Sequence, residues 1–153
     1  MDAEVYYKRS RFRTRLPGDR MYTASHFWLI EAEPGTWRVG LTKFAARMLG
    51  DVVDIGFEVA AGQAVELGQT LGWLEGFKAR TDLYTVVAGR FAGANPGLEA
   101  DIDVIDSDRY GRGWLYAVAG RPDPDACDVQ GYVKLLDATI DRLRGGPIRN
   151  EKK

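Results

Sequence analysis

Between Gly62 and Gly89 the chain is written in short apolar runs broken by glycine, and this stretch restricts the fold most. Gly62, Val65, Gly68, Gln69, Leu71 and Glu75 lead up to Lys78; Asp82, Leu83, Val87 and Gly89 follow it. Gly68 stands ten residues before the lysine and Gly89 eleven after it, so two strands of similar length can rise to a turn and return. That spacing puts Lys78 at the apex of a hairpin. An exposed amine on a rigid tip is what a ligase needs to attach a prosthetic group, and acylation removes its charge and leaves a long arm. A lone lysine in a turn is ordinarily a solvated surface residue. The ordered glycines and apolar positions on both sides set this one apart.

The flanking text gives the other elements. Phe27 to Ile30 reads as a strand, Pro34-Gly35 as a turn and Thr36 to Leu41 as the returning strand. Thr42 is a candidate N-cap for a short helix near 43–49, with Phe44, Ala45, Met48 and Leu49 on one face and Gly50 as its stop. From Asp51 to Val118 short β runs, among them Val52 to Ile55, Gln69 to Leu74 and Tyr84 to Val87, predict a compact barrel or sandwich. After Arg121-Pro122-Asp123-Pro124, the residues Val129, Tyr132, Val133, Leu136, Ile140 and Leu143 recur at three and four positions, an amphipathic helix. Asp125 or Asp128 can cap it, Arg142 and Arg144 suit its C-terminal dipole, and Gly145-Gly146 should end it. Burial of four such apolar side chains contributes roughly 6 to 12 kcal/mol before entropy is subtracted, so docking on the domain is expected.

At 153 residues the chain has the size of one domain, and its formal net charge of -1 provides no bulk attraction to nucleic acid or membrane. One cysteine, Cys127, excludes an intramolecular disulfide framework, and one histidine, His26, leaves little from which to build a metal site or a histidine-based triad. Cys127 reads as an unactivated thiol at the start of the last helix. No apolar run has the length of a membrane span, residues 1–20 lack the apolar block of a secretory signal, and a cytoplasmic monomer is expected. Those first residues carry Lys8, Arg9, Arg11, Arg13, Arg15 and Arg20 against Asp2, Glu4 and Asp19. They read as a solvated basic extension, paired with the acidic run Glu99, Asp101, Asp103, Asp106 and Asp108. The chain thus divides into an extension at 1–20, a domain at 21–120, a packed helix at 121–145 and a polar tail at 146–153.

From about Tyr22 to Ala119 the sequence resembles the H protein of the glycine cleavage system. The resemblance rests on Ser25-His26-x-Trp28, Val39-Gly40-Leu41-Thr42, Leu49-Gly50-Asp51-Val52-Val53, Glu75-x-x-Lys78-Ala79, Asp82, Gly89, Asn95-Pro96 and Tyr110-Gly111-x-Gly113-Trp114-Leu115. It implies a mainly β fold, the lipoyl/biotinyl-type barrel-sandwich hybrid, with the short helix and the C-terminal helix added. It also implies that Lys78 carries (R)-lipoate covalently and that the chain is a non-catalytic carrier served by a lipoate ligase or lipoyl transferase. The arm would be on the order of 14 Å long when extended. Ser25, Phe27, Glu75 and Asp82 fall where the arm or a partner would be touched; Glu75 and Asp82 read equally well as solubilising charges on a sheet.

The departures from the family pattern bear on the cargo. Where glycine cleavage H proteins usually read S-H-E-W, an acid that helps hold the methylamine-loaded arm is here Phe27; a lost hydrogen bond to a charged group costs about 1.5 to 3 kcal/mol. The usual E-S-V-K-A has become Glu75-Gly76-Phe77-Lys78-Ala79, and Val86 stands where a proline is common. These changes, with the helical C-terminal tail, resemble the lipoate-binding proteins of bacterial sulfur oxidation. The main expectation is therefore an arm carrying sulfur or electrons for a heterodisulfide-reductase-like complex. The alternative is the glycine cleavage carrier, which serves a glycine decarboxylase and shuttles the methylamine group of glycine. A biotinyl carrier, whose lysine is usually flanked by methionines, and an unmodified binding domain complete the alternatives.

Overall fold

The computed structural model describes residues 3–150, and side chains as far as Arg144. Two open sheets form its body. The larger runs, in spatial order, through β3 (Met21–Tyr22), β4 (Phe27–Glu33), β5 (Thr36–Leu41), β11 (Tyr116–Pro122), β10 (Val87–Ala94) and β7 (Ala64–Val65). The smaller sets β8 (Thr70–Gly76) between β6 (Val52–Phe57) and β9 (Arg80–Tyr84). Every recorded pairing is antiparallel. Neither sheet closes into a barrel, and the mainly β class with helical additions stands.

The two sheets share one core, to which Leu29, Val39, Leu71, Leu74, Leu83 and Val118 contribute fully buried side chains. Phe27, Trp28 and Leu29 are all buried because β4 is covered on both faces. Successive side chains on a strand point to opposite sides. Phe27 and Leu29 therefore enter this core while Trp28 enters a second one on the far side. Gly40, opposite Trp28 across the β4–β5 ladder, leaves room for the indole: a Cβ there would meet the ring at 2.4 Å.

The second core joins both ends of the chain. Residues 5–16 are not the solvated extension expected above. β1 (Val5–Arg9) and β2 (Phe12–Leu16) pair as an antiparallel hairpin, and Tyr7, Phe12 and Leu16 on its inner face are buried. They pack with Tyr22, Trp28 and Phe44 against Val129, Tyr132, Leu136 and Ile140 of the C-terminal helix α3 (Val129–Asn150). The alternation of apolar and basic residues from Phe12 to Leu16 was a period-2 strand signal, easily read as a mere charge cluster. Nor do the basic residues pair with the acidic run at 99–108: Arg9 instead meets Asp141 at 2.8 Å and Asp137 at 3.3 Å on α3.

Smaller departures have simple causes. The short helix α1 (Lys43–Leu49) forms with Thr42 as its cap, yet Met48 faces out and Ala46 is buried in its place. Leu143 is likewise exposed, because the buried stripe of α3 ends at Ile140. Gly145-Gly146 do not stop α3, which continues to Asn150; a helical glycine costs about 1 kcal/mol relative to alanine and forbids nothing. Of the polar tail, residues 151–153 lie outside the described ones. Asp128, not Asp125, caps α3, its carboxylate accepting from the Gly131 amide at 2.9 Å. The run expected from Tyr84 to Val87 is split, Tyr84 ending β9 and Val87 opening β10, and α2 (Val104–Ser107) was not anticipated. No helix of the described residues is long and apolar enough to cross a membrane.

Candidate functional site

Lys78 sits on a two-residue tip. Across β8 and β9, Trp73 faces Asp82, Leu74 faces Thr81 and Glu75 faces Arg80; beyond them the Gly76 amide donates to the Ala79 carbonyl at 2.8 Å, leaving Phe77 and Lys78 as the turn. Gly89, taken as the end of the returning strand, belongs to β10 instead.

The tip is buttressed by the segment that leaves α1. The Lys78 amide donates to the Leu49 carbonyl at 2.8 Å and the Phe77 amide to that of Asp51 at 3.1 Å. Gly50 turns the chain there at φ +78°, a left-handed conformation that suits glycine. Gly76 explains itself in the same contact: a Cβ on it would fall 2.2 Å from the Leu49 carbonyl oxygen. The backbone under the lysine is thus fixed, while its side chain is exposed and its Nζ donates to the Arg47 carbonyl at 3.0 Å. That carbonyl is in the last turn of α1, where helix carbonyls lack internal partners and attract cations. Phe77, 79% exposed, adds an apolar surface at the tip.

The other expected site residues separate into three settings. Glu75 and Asp82 both lie on the outer face of the smaller sheet, each cross-strand pair sharing a face. Glu75 lies 4.0 Å from Arg80, whose guanidinium covers the Trp73 ring at 5.2 Å; Trp73 in turn lies over Gly56 and points its Nε1 at Asp54, 3.4 Å away. Ser25 is exposed in the β3–β4 turn, its hydroxyl 2.8 Å from that of Thr23. Phe27 corrects the expectation made for it. Its ring is only 8% exposed and belongs to the main core with Leu41 and Leu49, so it packs the interior and presents nothing to an arm or partner.

One feature near the site had only a faint sequence signal. His26 is buried at φ +71°, with its Nδ1 2.8 Å from the Tyr132 hydroxyl. The same hydroxyl is 2.8 Å from Oγ1 of Thr42, which accepts from the Ala45 amide at 3.4 Å. The Tyr132 hydroxyl thus links the Thr42 hydroxyl to a neutral His26, whose Nδ1 either accepts from it or, as the other tautomer, donates to it. Burial agrees, lowering the histidine pKa to about 4. The sequence showed Thr42 as a cap and His26 as a lone histidine, but the tyrosine that joins them is 90 residues beyond Thr42. Cys127 holds no activated thiol: burial raises its pKa, and its Sγ rests 3.6 Å from the Tyr22 carbonyl.

A hairpin that offers one exposed lysine from a firmly held two-residue tip defines a domain of the lipoyl- and biotinyl-carrier fold class. The family model described as glycine cleavage H-protein matches residues 20–135. A glycine cleavage system H protein of Mycobacterium bovis is 36% identical over 126 residues, 82% of this chain and 90% of its own. One from a Shewanella strain is 32% identical over 127 residues, 81% of this chain and 98% of its own. A crystal structure of a glycine cleavage system H protein from Mycobacterium marinum superposes with a TM-score of 0.70 at 31% identity, covering 80% of this chain and 99% of that one. The chain belongs to the glycine cleavage H-protein family. These relatives support the glycine cleavage alternative and lend nothing to the sulfur-oxidation expectation.

Proposed function

We propose that this protein is the lipoyl carrier of a glycine cleavage system, shuttling the methylamine group of glycine between enzymes on an (R)-lipoyl group bound through an amide to Lys78. The observation that carries the reading is the Lys78 amine itself, exposed above a tip held by the carbonyls of Leu49 and Asp51. The residues present fit the group: the amine is reachable, and acylation would leave it one N–H with which to keep the Arg47 carbonyl contact. When bound, lipoate supplies a disulfide that opens and recloses by thiol exchange. The chain's own part is presentation, with no catalytic residue of its own. Glu75 and Asp82, flanking the lysine on one sheet face, are the proposed contacts for the lipoate ligase or lipoyl transferase, and the glycine decarboxylase loads the arm. Of the substitutions that pointed to sulfur carriage, Phe27 is accounted for by packing.

Co-expression with a lipoate ligase and lipoate, followed by intact-mass and peptide mapping, tests the attachment. One lipoyl mass on Lys78, absent from Lys78→Arg, is expected; modification mapped to Lys8, Lys43 or Lys134, or a biotinyl mass, overturns it. Glycine-dependent loading by glycine decarboxylase, run beside an authentic H protein, tests the cargo. A fully lipoylated protein that is not loaded would end the glycine cleavage reading.

A further inference from the structure

The outer face of the β1–β2 hairpin is a strip of cations on a chain whose net charge is only -1. Tyr6 faces Arg15 and Lys8 faces Arg13 across the two strands, Arg11 sits at the turn, and all five side chains are exposed. Arg15 stacks over Tyr6 at 5.3 Å and has Glu4 only at 3.9 Å; among the described residues Lys8, Arg11 and Arg13 have no ion pair. Beside the strip, a groove of about 720 Å³ is lined by Arg13, Arg15 and Lys43. Its acids are already engaged, Asp106 with Arg109 and the Val52 amide, Asp108 with Arg112.

The hairpin that carries the strip is linked to the lysine from its inner face. Phe12 of β2 meets Phe44 of α1 edge-on at 5.4 Å and lies under the Arg47 guanidinium at 5.6 Å, and the carbonyl of that same Arg47 receives Lys78 Nζ at 3.0 Å. The whole hairpin precedes residue 20, where the match to the H-protein family model begins, and it is seated against the helix that supports the arm. Its inner face packs in the second core, while its outer side chains are exposed.

We propose that the outer face of the β1–β2 hairpin, continued by Lys43 and Arg47, is a docking surface for an acidic rim on the enzyme that loads the arm. The inference rests on the carrier reading above. Opposite charge on that rim steers the carrier and sets its orientation, with Lys78 facing the partner's entrance. Protein is favoured over nucleic acid because the groove joins Arg13 and Arg15 to Lys43, at the start of the helix whose Arg47 carbonyl receives Lys78, and because Tyr6 is the strip's one exposed aromatic.

The test measures equilibrium binding of the purified protein, with and without the lipoyl group, to the glycine decarboxylase of the same organism at 50 and 300 mM salt. Removing Lys8, Arg11, Arg13 and Arg15 together, each to Gln, should weaken binding about tenfold at low salt and flatten its salt dependence. A control pair on other faces, Arg121→Gln with Lys134→Gln, should stay within about twofold of wild type. Because these changes are on exposed positions, unchanged melting temperature confirms folding, and Arg13→Gln alone gives a smaller step in the same direction. Equal affinity of wild type and quadruple variant at both salts overturns the proposal. So does a wild type that binds a single-stranded RNA oligonucleotide more tightly than the decarboxylase, with that binding lost in the variant. Failure of the carrier reading shows up separately, as a Lys78 that gains no lipoyl mass.

Discussion

The hydroxyl of Tyr132 on α3 lies 2.8 Å from that of Thr42, the residue that caps α1. The C-terminal helix thereby grips the start of the helix whose other end, through Arg47 and Leu49, supports the lysine tip. This contact adds to the packing of Phe44 with Tyr132 and Leu136 that ties α3 to α1. Tyr132→Phe keeps the ring stacked on Tyr22 at 4.8 Å but leaves the Thr42 hydroxyl and His26 Nδ1 without their partner. A buried polar group left unsatisfied costs about 1 to 3 kcal/mol. Denaturant unfolding should register a loss of that size, with the lipoylated mass of the variant unchanged.

His26 makes stability depend on pH. Its folded pKa is lowered by burial to about 4, whereas the unfolded chain titrates near 6.5. The unfolded state therefore takes up the proton first as pH falls, and this group's contribution is intact above pH 6.5 and drains away between there and about pH 4. Between pH 6.5 and 5 the loss is about 2 kcal/mol. Wild type and His26→Gln, unfolded at both pH values, should differ in slope by roughly that amount; parallel profiles would mean that the imidazole takes up its proton as readily in the fold as in the unfolded chain.

Gly76→Ser restores the residue usual in the family but has no room here. With a Cβ 2.2 Å from the Leu49 carbonyl oxygen, the tip must move off α1 and strain the Lys78–Leu49 backbone bond. Such overpacking typically costs about 1 to 3 kcal/mol. The melting temperature should drop, and the Lys78 amide should exchange with solvent faster than in wild type.

The lysine hairpin was legible because its signal is local: glycine spacing and period-2 apolar positions place the tip within twenty residues of sequence. Thr42 and its helix were legible for the same reason. What escaped detection depends on partners far apart in the chain. Residues 5–16 looked like a charge cluster because the surface they cover, Tyr132, Leu136 and Ile140, lies more than a hundred residues away. Phe27 looked like a site residue because it stands where the motif of the resembling family carries an acid, and only the pairing of β4 with β5 and the core beneath it reveal that this position points inward.

Phe27 yields the sharpest test of what that motif means in this chain. If position 27 touched the arm, its side chain would govern loading; buried with Leu41 and Leu49, it should govern stability alone. Phe27→Leu keeps an apolar filler and should cost about 1 kcal/mol for the volume lost, with the KM for glycine-dependent loading unchanged. Phe27→Glu puts an unpaired carboxylate into the core and should cost several kcal/mol or shift that acid's pKa sharply upward. Loading measured on whatever fraction of Phe27→Glu remains folded should therefore not exceed wild type. A Phe27→Glu protein that stays as stable as wild type and loads faster would show the side chain reaching the arm after all, and would return position 27 to the site.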